Sequence, residues 1–222
     1  MRQSTLTRFL RNGTLLFILF GAAGAASAAP CIVASLSSYT GLGAGGCNIG
    51  QVQFSNFSLL PAAFTEIAPS NVTLTPTAAP GFLVGLNATA GPGQTLESTF
   101  SFTASGSTFV SGTVGLIGSS VIFDGANTAS GAFTPGGNAI AFDIGIDSQL
   151  TDTSTLPKPS SLSVQLDFVI DGGTDGGASL QQGSVSLSAV PEPSSMFLTF
   201  SGLAGLAWKG RRRISSLLRR QQ

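Results

Sequence analysis

From Ile49 to Ser188 apolar and polar residues alternate with a period of two. Val52 and Phe54 open the pattern, followed by Phe57 to Leu59, then Phe100 and Phe102 between Ser101 and Thr103. Val121 to Phe123 come next, then Ile140, Phe142, Ile144 and Ile146. The clearest run is Leu162, Val164, Leu166, Phe168 and Ile170, with Ser163, Gln165 and Asp167 on the other face, and Val185 and Leu187 close the pattern. Alternation rich in β-branched and aromatic residues predicts half-buried antiparallel strands. Turn residues recur between the runs: Ala90-Gly91-Pro92-Gly93, Asp124-Gly125, Pro135-Gly136-Gly137 and Asp171-Gly172-Gly173. Such pairs supply the positive φ that hairpins need. Between the two ends no segment has a helical period, and residues 153–161, with Pro157-Lys158-Pro159, read as a loop and sheet edge. The expectation is an all-β body, residues 29–189, of about nine strands in a β-sandwich or jelly roll, because two sheets must cover each other's apolar faces.

The ends depart from this pattern. Arg2, Arg8 and Arg11 precede the apolar run Leu15-Leu16-Phe17-Ile18-Leu19-Phe20, and Ala26-Ser27-Ala28 supplies a small-residue cleavage site. Residues 1–28 therefore read as a signal-peptide helix removed by signal peptidase after Ala28. A lipoprotein reading with Cys31 acylated is opposed by Pro30 directly before it, and Arg8 and Arg11 are not the adjacent pair of a twin-Arg signal. At the other end Val190-Pro191-Glu192-Pro193 precedes an apolar run, residues 196–208, which closes on Lys209, Arg211, Arg212 and Arg213. The prolines exclude helix before the run, and the basic cluster resists crossing a bilayer, which leaves the body outside. The run has 13 residues, about 20 Å as a helix against a hydrocarbon core of about 30 Å, so it suits a transient signal better than a permanent anchor. Residues 214–222 form a basic cytoplasmic tail.

These C-terminal elements closely resemble the PEP-CTERM sorting signal of bacterial exported proteins. The resemblance covers residues 190–213. It implies recognition by an exosortase, a membrane cysteine protease, with cleavage near Pro191, Glu192 and Pro193. The body would pass from the inner membrane to the cell surface or extracellular polymer of an exopolysaccharide-producing bacterium. The stretch from Cys31 to Phe57, with Ser38-Tyr39, Gly46-Cys47-Asn48-Ile49-Gly50 and Phe54-Ser55-Asn56-Phe57, also looks like the start of many such bodies, a likeness that implies no activity.

Charge and composition narrow the chemistry. The formal net charge is zero, yet nine carboxylates from Glu66 to Asp175 face a single cation, Lys158, in the body. An acidic body is a poor match for nucleic acid, whose phosphates demand Lys and Arg. His is absent, which removes Ser-His-Asp and Cys-His mechanisms and most zinc sites. Asp143 with Asp147, and Asp167 with Asp171, are spaced to share a strand face, the arrangement a glycosidase could use. Their neighbours read more simply as solvated faces and a turn. Asp171 to Asp175 offers oxygen donors for calcium without the EF-hand spacing. The body has no Trp, which weakens a sugar-stacking platform. Asn56, Asn71 and Asn87 begin Asn-x-Ser/Thr triplets that arise by chance in a Ser/Thr-rich chain. Cys31 and Cys47, exported and separated by a glycine-rich loop, suit a structural disulfide rather than a redox pair. The expectation is a non-enzymatic surface or matrix protein with no cofactor or metal, structural or adhesive in exopolysaccharide or biofilm; the alternative is a glycan- or calcium-binding surface module.

Overall fold

The computed structural model describes residues 28–190 and Ser201. Most of the signal-peptide stretch 1–28 therefore lies outside the described residues. So do Pro191, Glu192, Pro193, Lys209, Arg211, Arg212, Arg213 and the tail 214–222.

The described chain is a sandwich of antiparallel strands. In order these are β1 (Ala34–Ser35), the helix α1 (Leu36–Thr40), β2 (Cys47–Ile49), β3 (Val52–Leu59), β4 (Thr65–Glu66), β5 (Thr73–Pro76), β6 (Gly81–Ala90) and β7 (Thr95–Ser105). They continue as β8 (Thr108–Ile122), β9 (Ala126–Thr134), β10 (Asn138–Asp143), β11 (Ser148–Gln149), β12 (Thr151–Thr155), β13 (Ser161–Asp171) and β14 (Gly177–Val190). One sheet runs β1-β5-β6-β14-β8-β12, and the other runs β11-β10-β9-β13-β7-β3-β2, with β4 adding to β7 in parallel. The long strands β8, β13 and β14 lie inside the sheets, while every edge is a strand of five residues or fewer, which limits edge-to-edge pairing.

Period-two patterning succeeds where strands are long. Leu162, Val164, Leu166, Phe168 and Ile170 of β13 all point into the core. Phe82 of β6 meets Phe54 of β3 and Phe102 of β7 across the two layers, at ring-centroid distances of 4.9 and 6.0 Å. Tyr39 and Phe57 complete this aromatic knot, both in contact with Phe82. Small residues sit opposite large ones: a Cβ at Gly183 of β14 would overlap the Phe168 ring, and one at Gly112 of β8 would overlap Phe133. Packing at crystal-like density leaves no room there for even a methyl group.

The structure adjusts four local expectations. The body contains a helix, α1, capped by Ser35 Oγ on Ser38 N–H at 3.3 Å, with Leu36 and Tyr39 buried. One turn is too short to display a period in sequence. Residues 153–161 do begin on a sheet edge, as expected, but as strand β12 as far as Thr155; the loop is confined to residues 156–160.

On β10 the phase is inverted. Ala139 and Ala141 are buried, whereas Ile140 is 51% exposed and Ile146 fully exposed; Ile122 and Phe123 also face solvent. Here the two sheets draw together, with Asp152 of β12 accepting a hydrogen bond from Ile140 N–H at 2.8 Å, and the side chains that β10 turns inward are the small Ala139 and Ala141.

Finally, only Pro135-Gly136-Gly137 closes a hairpin, between β9 and β10. The turns after Ala90, Asp124 and Asp171 each carry the chain from one sheet to the other. Positive φ permits a reversal without dictating the next strand's partner.

Candidate functional site

β14 delivers the chain to its C-terminal segment. This strand is paired along both edges, with β6 and with β8, and its last residues pair as Ala189↔Phe109 and Val190↔Thr108. Val190 is half exposed at the end of the sandwich. Pro191 thus follows directly on a strand fixed by the core, with no intervening linker. Among the described residues no helix is long and apolar enough to cross a membrane.

At the same end lies the N-terminal segment. Asn48 N–H donates to the Ala29 carbonyl at 2.8 Å, and Cys31 N–H donates to the Asn48 carbonyl at 2.9 Å. The Asn48 amide also reaches the Ala28 carbonyl at 3.2 Å. Cys31 and Cys47 form a disulfide with a Cα–Cα distance of 4.9 Å, as their context implied. Beside it is an apolar cavity of about 200 Å³, lined in part by Pro30, Ile32, Tyr39 and Leu42. The Tyr39 hydroxyl donates to the Ile32 carbonyl at 2.6 Å, and burial pushes it up to about 12.

Asp143, Asp171 and Asp124 each have their own structural partners. Asp143 accepts from the Ser119 hydroxyl at 2.6 Å and from Gly145 N–H; Asp147 is exposed in the turn beyond β10. Asp171 accepts from the Thr95 hydroxyl and Gly173 N–H, both at 3.1 Å. Asp124 accepts from Thr174 N–H at 2.7 Å and Asp175 N–H at 3.2 Å, bonds that hold it below the usual carboxylate range. The stretch proposed for calcium is therefore a crossing loop clasped by Asp124. Among the described residues no cluster of three or more His, Cys, Asp or Glu is placed to hold a metal ion. Asn127, fully buried, links the sheets by donating to Ser119 Oγ at 2.9 Å and to the Ser179 carbonyl at 3.0 Å; its Oδ1 has no protein partner.

One group escaped the sequence reading. Glu97 of β7 is only 5% exposed because residues 60–67 strap across the outer face of its sheet. Its Oε2 accepts from Ala63 N–H at 2.6 Å and Phe64 N–H at 2.8 Å. Thr99 Oγ1 lies 2.9 Å from Glu97 Oε1 and 2.9 Å from Asp167 Oδ1. Burial pushes Glu97 up, but the hydrogen bonds from Phe64, Thr99 and Ala63 outweigh it and hold the carboxylate below its ordinary value. Burial, with the Glu97 charge beside it, raises Asp167. No alternation signals this pair, because a covered outer face reads as polar like any other.

Comparison with known proteins bears on the C-terminal end. The family description "PEP-CTERM protein-sorting motif" matches residues 189–213. No curated protein matches the chain. Among solved structures, CsCBM6-3 from Clostridium stercorarium, in complex with cellobiose, is 14% identical, with 60% of this chain and 95% of that one covered at a TM-score of 0.22. A Bacillus thuringiensis Cry1Da tryptic core variant is 10% identical, covering 63% and 31% of the two chains at 0.19. Superpositions this poor carry no weight for ligand or activity. The C-terminal end of this chain, residues 189–213, is a PEP-CTERM protein-sorting motif.

Proposed function

We propose that this is an exported, non-enzymatic protein whose β-sandwich is handed by an exosortase from the inner membrane to the cell surface or extracellular polymer, where it is structural or adhesive. The sorting motif at residues 189–213 carries the reading. Two features of the body support it. The motif starts on the last two residues of β14, so cleavage near Pro191 releases the folded sandwich with almost no tail. The disulfide and the blunted sheet edges suit a body that persists outside the cell without pairing with its neighbours.

Intact mass of the protein from its native host, in membrane and extracellular fractions, tests this. The expected released form begins at Ala29 and ends near Pro191. A membrane form still carrying residues 196–222, with no released counterpart, would overturn sorting and make the tail a plain anchor.

A further inference from the structure

The chain leaves the sandwich through β14, and the hold on that strand weakens in two steps. As far as Ser186 it is paired on both edges, Ser186 itself with Gly81 of β6 and with Thr113 of β8. Leu187 N–H then donates to the Pro80 carbonyl at 2.8 Å, and beyond it β14 pairs with β8 alone: Ser188↔Ser111, Ala189↔Phe109 and Val190↔Thr108. The second step is a bulge. Register shifts between Ser188 and Ala189, so Val110 of β8 has no residue opposite it on β14. There the β8 backbone bonds to the loop after β12 instead: the Val110 carbonyl accepts from Leu156 N–H at 2.9 Å, and Phe109 N–H donates to the Pro159 carbonyl at 3.0 Å. A bulge interrupts the ladder locally, so Ala189 and Val190 are joined to one neighbour across a break in pairing.

Side chains follow the same division. Val185 and Leu187 are buried in the core. Past the bulge, Ala189 has a single methyl group to pack and Val190 is half exposed. Pro191 has no N–H with which to lengthen the ladder. Detaching Ala189 and Val190 therefore uncovers little apolar surface, whereas detaching Leu187 opens the core and the contact with β6 together. The match to the sorting motif begins at Ala189, the first residue past the bulge.

A peptidase that takes its substrate as an extended segment needs the backbone edges of that segment free to pair with the enzyme. In this protein the residues just before Pro191 already belong to a sheet. We propose that Ala189 and Val190 are a detachable strand end: hinged at the bulge, they leave β8 to enter the exosortase cleft while β14 as far as Leu187 stays in the folded sandwich. The proposal deepens the function proposed above and rests on its processing step. It makes the closed sandwich, rather than an unfolded precursor, the substrate for cleavage. It also sets a limit on where the chain is cut, because bonds on the amino side of Ser188 are held by the core and by both neighbouring strands.

Two cysteine staples in the full chain, expressed in its native host, test this. Thr108→Cys with Val190→Cys ties the strand end to β8 at opposed positions, and Thr113→Cys with Ser186→Cys ties β14 behind the bulge. Loss of free thiols shows that each staple has closed, and the form released to the extracellular fraction is the readout. Release is expected to fall at least about tenfold with the first staple and to be unchanged with the second. Val190→Cys alone is expected to be released as the wild type is, and a block there equal to that of the staple would overturn detachment as the cause. Wild-type release of the chain stapled at 108 and 190 would overturn the proposal and leave the processing step standing. An equal block by both staples would also overturn it, since cleavage would then need β14 opened beyond the bulge. Hydrogen exchange of the purified full chain is the second measurement. The amides of Ala189 and Val190 are expected to exchange about 100-fold faster than that of Leu187, and equal protection would overturn the detachable end whatever the staples do. A wild-type chain that is never released would overturn the processing step and the proposal with it.

Discussion

Replacing Asp167 with Asn is expected to stabilise the protein at neutral pH and to do little under acid conditions. The Thr99 hydroxyl has one hydrogen for two carboxylates, each 2.9 Å away, so Glu97 Oε1 and Asp167 Oδ1 are at most about 6 Å apart. Two like charges at that separation repel by about 0.7 kcal/mol at the dielectric of water and about 3 kcal/mol at an effective value of 20. Asp167 is half-buried, which places the expected gain between these limits, about 1–2 kcal/mol at pH 7. Asn removes the repulsion and adds an N–H that can donate to the Glu97 carboxylate. The pH dependence follows from the direction of each shift. Asp167 is raised, so the native state binds its proton more tightly than the unfolded chain does; its cost is full above the folded pKa and disappears as pH falls to the ordinary 3.8. Glu97 is lowered, so its stabilisation is present above the ordinary 4.5 and is lost only as pH falls through its lower folded value. The neighbouring carboxylates Glu66, facing Glu97 from β4, and Asp171, further along β13, are unchanged in the comparison. Urea unfolding followed by circular dichroism at pH 7 and pH 4 should show a clear advantage for Asp167→Asn at the first and near parity at the second. A variant less stable than wild type at pH 7, or an equal advantage at both pH values, would refute the shared-proton account.

Three further outcomes can be measured on the same protein. Glu97→Ala should cost about 2 kcal/mol, less than three charge-assisted hydrogen bonds would suggest because water can reach exposed Ala63 and Phe64; hydrogen exchange should speed up at those two amides first. Reducing Cys31–Cys47, whose partners are 16 residues apart, should lower stability by about 3 kcal/mol, and an unchanged melting temperature in reductant would remove the disulfide from the account. Gly183→Ala should destabilise by about 1–3 kcal/mol by forcing a methyl group into the Phe168 ring, whereas Gly43→Ala should cost less because its surroundings are open and only its φ of 56° opposes a side chain; equal losses in a calorimeter would refute the packing argument.

The sequence by itself determined the class of the body, the sorting motif toward its C-terminal end and the disulfide. Alternation in β13 and β7 states which side chains share a face, and burial of that face is all a sandwich requires. Pro191-Glu192-Pro193 with its basic stop is a linear signal, legible without any fold. Tertiary structure decided what depends on neighbours brought from elsewhere in the chain. Ala139 and Ala141 face inward in place of Ile140 because the sheets converge at β10, a fact local hydrophobicity cannot express. Asn56 and Asn87 take positive φ at 54° and 45° where β3 and β6 bulge, which gives two of the Asn-x-Ser/Thr triplets a backbone role independent of glycosylation. Glycine pairs mark reversals, yet three of the four send the chain to the opposite sheet because the partner strand is set by which apolar faces meet. Glu97 became buried only when a strap from residues 60–67 crossed it. Periodicity records one strand's two faces; register, which requires two strands, decides which end and which partner each residue receives.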